Sequence, residues 1–91
     1  MAFRIHTTVN EESVTFAVSG RLDVDGIIEL KRLLDEYPEG HRLVLDLKEV
    51  RLVDRFSIQS LAAFEGNGVR LVNCPAYVHD WIRRNVGIRI E

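Results

Sequence analysis

Along the chain the apolar residues switch repeatedly between a spacing of two and a spacing of three or four, and this alternation restricts it to a fold that interleaves strands and helices. Apolar and polar residues alternate from Phe3 to Thr8 and again from Val14 to Ser19, where Val14, Phe16 and Val18 share one side. Asn10-Glu11-Glu12 joins the two runs as a hairpin. After Gly20 the period lengthens. Val24, Ile27, Ile28, Leu34 and Tyr37 read as the inner stripe of an amphipathic helix running to about Asp35, with Asp23 or Asp25 as its cap and Pro38-Glu39-Gly40 as its stop.

Alternation returns from Arg42 to Leu47, with Leu43, Leu45 and Leu47 on one side and Val44 and Asp46 on the other. A second helix is expected from about Arg55 to Glu65, with Asp54 as N-cap, Ile58, Leu61 and Ala62 inward, and Gly66-Asn67-Gly68 as its end. Val69 to Val72 reads as a short strand. Pro75 then pre-sets the first turn of a third helix, whose buried stripe is expected to be Tyr77, Val78, Trp81 and Ile82. The tail from Gly87 to Glu91 carries no clear pattern.

The expected order is β-β-α-β-α-β-α, a mixed four-stranded sheet in which the last three strands run parallel and the first is added as an antiparallel hairpin. Arg4, His6 and Thr8, then Thr15, Ala17 and Ser19, then Arg42, Val44 and Asp46, and finally Arg70 and Val72, are too polar to lie under a second helix layer. The helices should therefore pack mainly on one face, which argues against a doubly wound nucleotide-binding sheet. With 91 residues the chain has room for one domain, spanning 1–91, and its 46% apolar and 29% charged residues place it among ordinary globular proteins.

Twelve Lys and Arg against fourteen Asp and Glu leave a net charge of -2, without the positive field that nucleic-acid binding needs. The single Cys74 leaves no intramolecular disulfide and no multi-thiolate metal site, which fits a reducing compartment. The N-terminal residues carry no long apolar run, so neither a signal peptide nor a membrane span is expected, and the location expected is cytoplasmic.

The motifs that cradle phosphates or present a nucleophile, G-x-G-x-x-G, G-x-x-x-x-G-K-[ST] and G-x-S-x-G, are missing. His6, His41 and His79 form no H-x-x-x-H pair. Asp23, Asp25, Asp46 and Asp54 fall near the expected C-terminal ends of parallel strands, where open α/β sheets place their sites. Capping accounts for Asp23, Asp25 and Asp54. The alternative, an acidic pocket like that of an aspartate-phosphorylated receiver, lacks a Lys after a late strand and one β/α unit. No cofactor and no enzymatic activity are expected. Tyr77 and Trp81 are read as core, with an aromatic docking patch as the alternative, and Arg83 and Arg84 suit a helix C-terminus.

Three stretches, Val18-Ser19-Gly20-Arg21-Leu22-Asp23, Leu43 through Asp54, and Gly68-Val69-Arg70-Leu71-Val72-Asn73-Cys74-Pro75, in this order and spacing, resemble the STAS domain of anti-sigma factor antagonists. The resemblance implies a non-enzymatic bacterial signalling module whose partner is a protein, either an anti-sigma factor or a kinase-like regulator. In the phosphoregulated members the turn resembles Asp-Ser-Ser/Thr-Gly-Leu, and the first Ser is phosphorylated. Aligned at Asp54, that Ser position is Arg55, the next is Phe56, the Gly is Ser57 and the Leu is Ile58. Arg55 cannot accept phosphate, so the usual switch is expected to be absent. Ser57 remains as a candidate hydroxyl, as does Ser60, but neither is at the matching position.

The resemblance and the position of the turn together mark Asp23, Asp25, Asp54, Arg55, Phe56 and Ser57 as the partner-binding set. Exposed N–H groups at the helix N-terminus are expected to attract an anionic partner group. The competing reading has Phe56 packed inward and Arg55 paired with a neighbouring carboxylate. Two other functions stand as alternatives: a small-ligand or nucleotide sensor using Arg4, His6, Asp46 and Arg70, and a homodimer built through the open sheet face.

Overall fold

The computed structural model describes residues 3–37 and 41–88. Strands β1 (Phe3–Val9) and β2 (Ser13–Leu22) form the antiparallel hairpin, closed by the Asn10 N–H donating to the Ser13 carbonyl at 2.8 Å. β3 (Arg42–Val53) lies parallel to β2 and β4 (Arg70–Val72) parallel to β3, giving the sheet order β1-β2-β3-β4. Helices α1 (Val24–Asp35) and α2 (Arg55–Gly66) connect the parallel strands, and α3 (Ala76–Ile88) follows β4. The expected order and strand directions are all found.

The core lies between one face of the sheet and the helices. Val14, Phe16 and Val18 of β2 and Leu45 and Leu47 of β3 meet Leu30 of α1, Leu61 of α2 and Val78 of α3 in one buried cluster. Each such side chain contributes about 1.5–3 kcal/mol through its removal from water. On the alternate positions Arg4, His6 and Arg42 are exposed and Thr15, Ala17 and Asp46 only partly buried, so the second face of the sheet is open. The polarity of those positions is the physical reason: a covering helix layer would have to desolvate them.

β3 is longer than its sequence suggests. Alternation breaks at Leu47-Lys48-Glu49-Val50, which reads as the end of a strand, yet pairing with β2 continues to Leu22↔Val53. Two register shifts, between Ala17 and Ser19 and between Gly20 and Arg21, insert extra residues on the β3 side. Bulges of this kind change which side chains face inward, so Val50 is buried although it is out of phase with Leu45 and Leu47. Gly20, at φ 90, takes a backbone conformation that a side chain would strain. Asp46 therefore lies in mid-strand, not at a strand end as expected.

Two helix stripes are also corrected. In α1 the buried face is Gly26, Ile27, Leu30 and Leu34, whereas Val24 and Ile28 are exposed. At about 100° per residue, Ile28 falls on a flank of the face that Ile27, Leu30 and Leu34 define. In α3 Val78 and Ile82 are buried, while Tyr77 and Trp81 are 45% and 44% exposed. Each aromatic precedes a buried residue by one position and is carried out of the interface by that same rotation. Tyr77 still ties the helix to the sheet, since its hydroxyl donates to the Arg51 carbonyl at 2.8 Å. The expected stop at Pro38-Glu39-Gly40 and the last residues of the tail, 89–91, lie outside the described residues.

Candidate functional site

The ends of β2 and β3 bring two helix N-termini side by side. Leu22 and Val53 are paired in the sheet, and one residue beyond each stands the Asp that caps the following helix. Asp54 Oδ1 accepts from the Ser57 N–H at 2.8 Å, and Asp23 Oδ1 accepts from the Gly26 N–H at 3.3 Å. The Asp54 N–H donates to the Leu22 carbonyl at 3.4 Å, which links the two turns directly. Both carboxylates are thus committed to backbone donors and act as scaffold. At α2 the carboxylate takes the Ser57 N–H, one of the first-turn donors that an anionic partner group would use.

What the turn displays is Arg55 and Phe56. Among the described residues Arg55 forms no ion pair, and Phe56 is 48% exposed, so the inward-packed alternative does not hold. Phe56 borders a groove of about 480 Å³ between α1 and α2. Ile28, which is 60% exposed, stands across from it, and Leu34, Leu43, Phe64 and Val69 complete an apolar lining. The sequence had assigned Ile28 to the core. Its angular offset from Ile27, Leu30 and Leu34 was the one signal that it belongs to a surface groove.

The other expected site residues separate. Ser57 is fully buried, with its hydroxyl oxygen unpaired among the described residues, which removes it from the exposed part of the turn and puts it out of reach of a modifying enzyme in this conformation. Asp25 lies on the opposite flank of α1, facing β1. Asp46, on the open sheet face, accepts from the Lys48 N–H at 3.0 Å and from Asn73 Nδ2 at 3.1 Å. Asn73 reaches it from a left-handed backbone position, φ 53, that turns β4 into α3. The four aspartates read as a possible acidic pocket are therefore not one site, and among the described residues no group of three His, Cys, Asp or Glu side chains converges.

No protein-family model matches the chain. Nor does any curated protein. Among solved structures it is similar to an antisigma-factor antagonist, STAS domain, from Rhodobacter sphaeroides. The TM-score is 0.55 at 20% identity, over 79% of this chain and 87% of that one. The chain therefore has the STAS fold, in agreement with its element order and its mixed four-stranded sheet. Among the described residues no helix is long and apolar enough to cross a membrane.

Proposed function

We propose that the chain is a non-enzymatic regulatory module that binds a protein partner through the β3–α2 turn and the adjoining α1–α2 groove. The observation that carries this reading is the outward presentation of Arg55 and Phe56 on a rigidly capped turn, next to an apolar groove that already contains Ile28. An exposed aromatic beside a guanidinium, with a concave apolar surface next to it, has the composition of an interface hot spot. The likeness in fold to an antisigma-factor antagonist supports a partner of that signalling class, an anti-sigma factor or a kinase-like regulator acting in the cytoplasm.

In this reading the surface is constitutive. Arg55 occupies the position at which the resembling turn is phosphorylated, and the remaining hydroxyl of the turn, Ser57, is buried. Binding would then be controlled by the abundance or state of the partner.

The test is to identify proteins that co-purify with the tagged chain and to measure the affinity of the anti-sigma or kinase-like candidate by calorimetry. Arg55→Glu and Phe56→Ala are each expected to weaken binding about tenfold or more, as truncation at a hot spot does, with unchanged circular dichroism. Incubation with the partner and ATP is expected to add no phosphate to the turn. Affinity unchanged by both substitutions would overturn the assignment of the surface.

A further inference from the structure

We propose that the free edge of β1, together with the flank of α1 beside it, is a receiving slot for an extended segment of a partner protein that alternates apolar and basic residues on one side. This slot is separate from the Ile28–Phe56 groove, which lies on the other flank of α1, so the two surfaces can be tested independently.

The first observation is the edge itself. β1 pairs with β2 in unbroken register from Phe3↔Gly20 to Val9↔Val14, and among the described residues nothing pairs with its other side. A regular seven-residue edge without proline or bulge presents a row of unpaired N–H and C=O groups, the backbone template on which strand addition depends.

The second is what lies beside it. Between β1 and α1 runs a groove of about 660 Å³. Phe3, Ile5 and Leu33, all half-buried, form its apolar floor, and Asp25 and Glu29 stand on its α1 side. Inner-face side chains of an added strand would recur about every 6.8 Å and enter this groove in turn. One apolar residue can rest on Ile5 and Leu33 while the next inner residue reaches the carboxylates.

Charge decides the kind of occupant. Asp25 forms no ion pair among the described residues, and Arg32 is shared between Glu29 and Glu36. Arg4 also borders the groove, but it alternates with Phe3 and Ile5 and belongs to the open face of the sheet. On the inner side Asp25, Glu29 and the neighbouring Glu36 therefore outnumber Arg32, and an inward Lys or Arg on the incoming strand would meet net negative charge. A second copy of the chain is a poorer fit. Antiparallel pairing of two β1 edges about a two-fold axis would set one acidic flank against another and would also bring together Arg4 and His6 from both copies.

The experiment uses the full chain labelled with nitrogen-15 and an end-blocked probe peptide, Thr-Val-Thr-Lys-Thr-Val-Thr-Lys, followed by amide shifts. Saturable shifts are expected on Phe3 to Val9 and on Asp25, Glu29 and Leu33. The same peptide with Glu in place of Lys is expected to bind about tenfold more weakly or worse, and the D25K/E29K double variant, both sites lying at the surface, should lose the Lys peptide by a similar factor. Methylation of alternate peptide nitrogens should abolish binding in one of the two registers. Shifts confined to Arg55 and Phe56, equal binding of the Lys and Glu peptides, or no saturable shift would overturn the proposal. So would a concentration-dependent dimer that protects β1, since the edge would then belong to a second copy.

Discussion

Ser57 stands in the first turn of α2 with a fully buried hydroxyl that has no partner among the described residues. An unpaired buried hydroxyl costs about 1–3 kcal/mol of desolvation, so Ser57→Ala is expected to leave stability unchanged or raise it by about 1 kcal/mol in urea unfolding. A loss above about 1 kcal/mol would show that the hydroxyl has a partner. Asp54→Ala removes the cap that holds the same turn and should cost about 1 kcal/mol. Cys74 offers a pH test. Partial burial, and secondarily the Glu65 carboxylate, push its thiol above the ordinary range. Less thiolate is then present near neutral pH, and alkylation of the native chain should be slower than that of free cysteine, with a rate midpoint shifted to higher pH. A midpoint at or below that of free cysteine would count against the packing around Cys74. At this scale the caps at Asp23 and Asp54 were legible, because a short acidic side chain ahead of an apolar run has one favourable use. The burial of Ser57 was not, since nothing local distinguishes it from Ser60.

α3 shows how far local periodicity carries at the scale of an element. Its four apolar residues, Tyr77, Val78, Trp81 and Ile82, are compatible with more than one inward direction, and the helix uses the one that buries Val78 and Ile82. Ile82→Ala is expected to cost about 2–5 kcal/mol, whereas Trp81→Ala, at a side chain 44% exposed, should cost less than half as much despite removing a far larger side chain. Comparable losses from the two would reverse the assigned face. In α1 the tight element is Gly26, where an added Cβ would come within 2.8 Å of Leu22 Cδ1 and 3.4 Å of the Phe3 ring. Gly26→Ala improves helix propensity by about 1 kcal/mol but crowds the start of the helix, and a net loss of up to about 2 kcal/mol is expected in thermal unfolding. The sequence located α1 and α2 to within a residue or two and the start of α3, but set no end for α3, which continues to Ile88. It misread the facing of α1 and α3 because an element's orientation is set by neighbours distant in sequence.

At the scale of the whole molecule, stability rests on the single sheet-to-helix core and little on charge. The ion pairs among the described residues, Lys31 with Asp35, Arg32 with Glu29 and Glu36, and Arg84 with Asp80, are all local helix pairs with largely exposed side chains. Raising salt from low concentration to about 0.5 M should therefore change unfolding free energy by less than about 1 kcal/mol. The order of elements, the parallel direction of β2, β3 and β4, and the single-sided helix layer are all written in the amino-acid pattern. Hydrophobic period and the polarity of alternate strand positions are local quantities that the chain carries before it folds. Tertiary structure alone decided that β3 continues past Leu47 through its bulges, that Asp46 lies far from the capping aspartates, and that Asp25 and Ile28 serve opposite flanks of α1. Those outcomes depend on register and on helix rotation against the sheet, which are selected by packing among residues far apart in the chain.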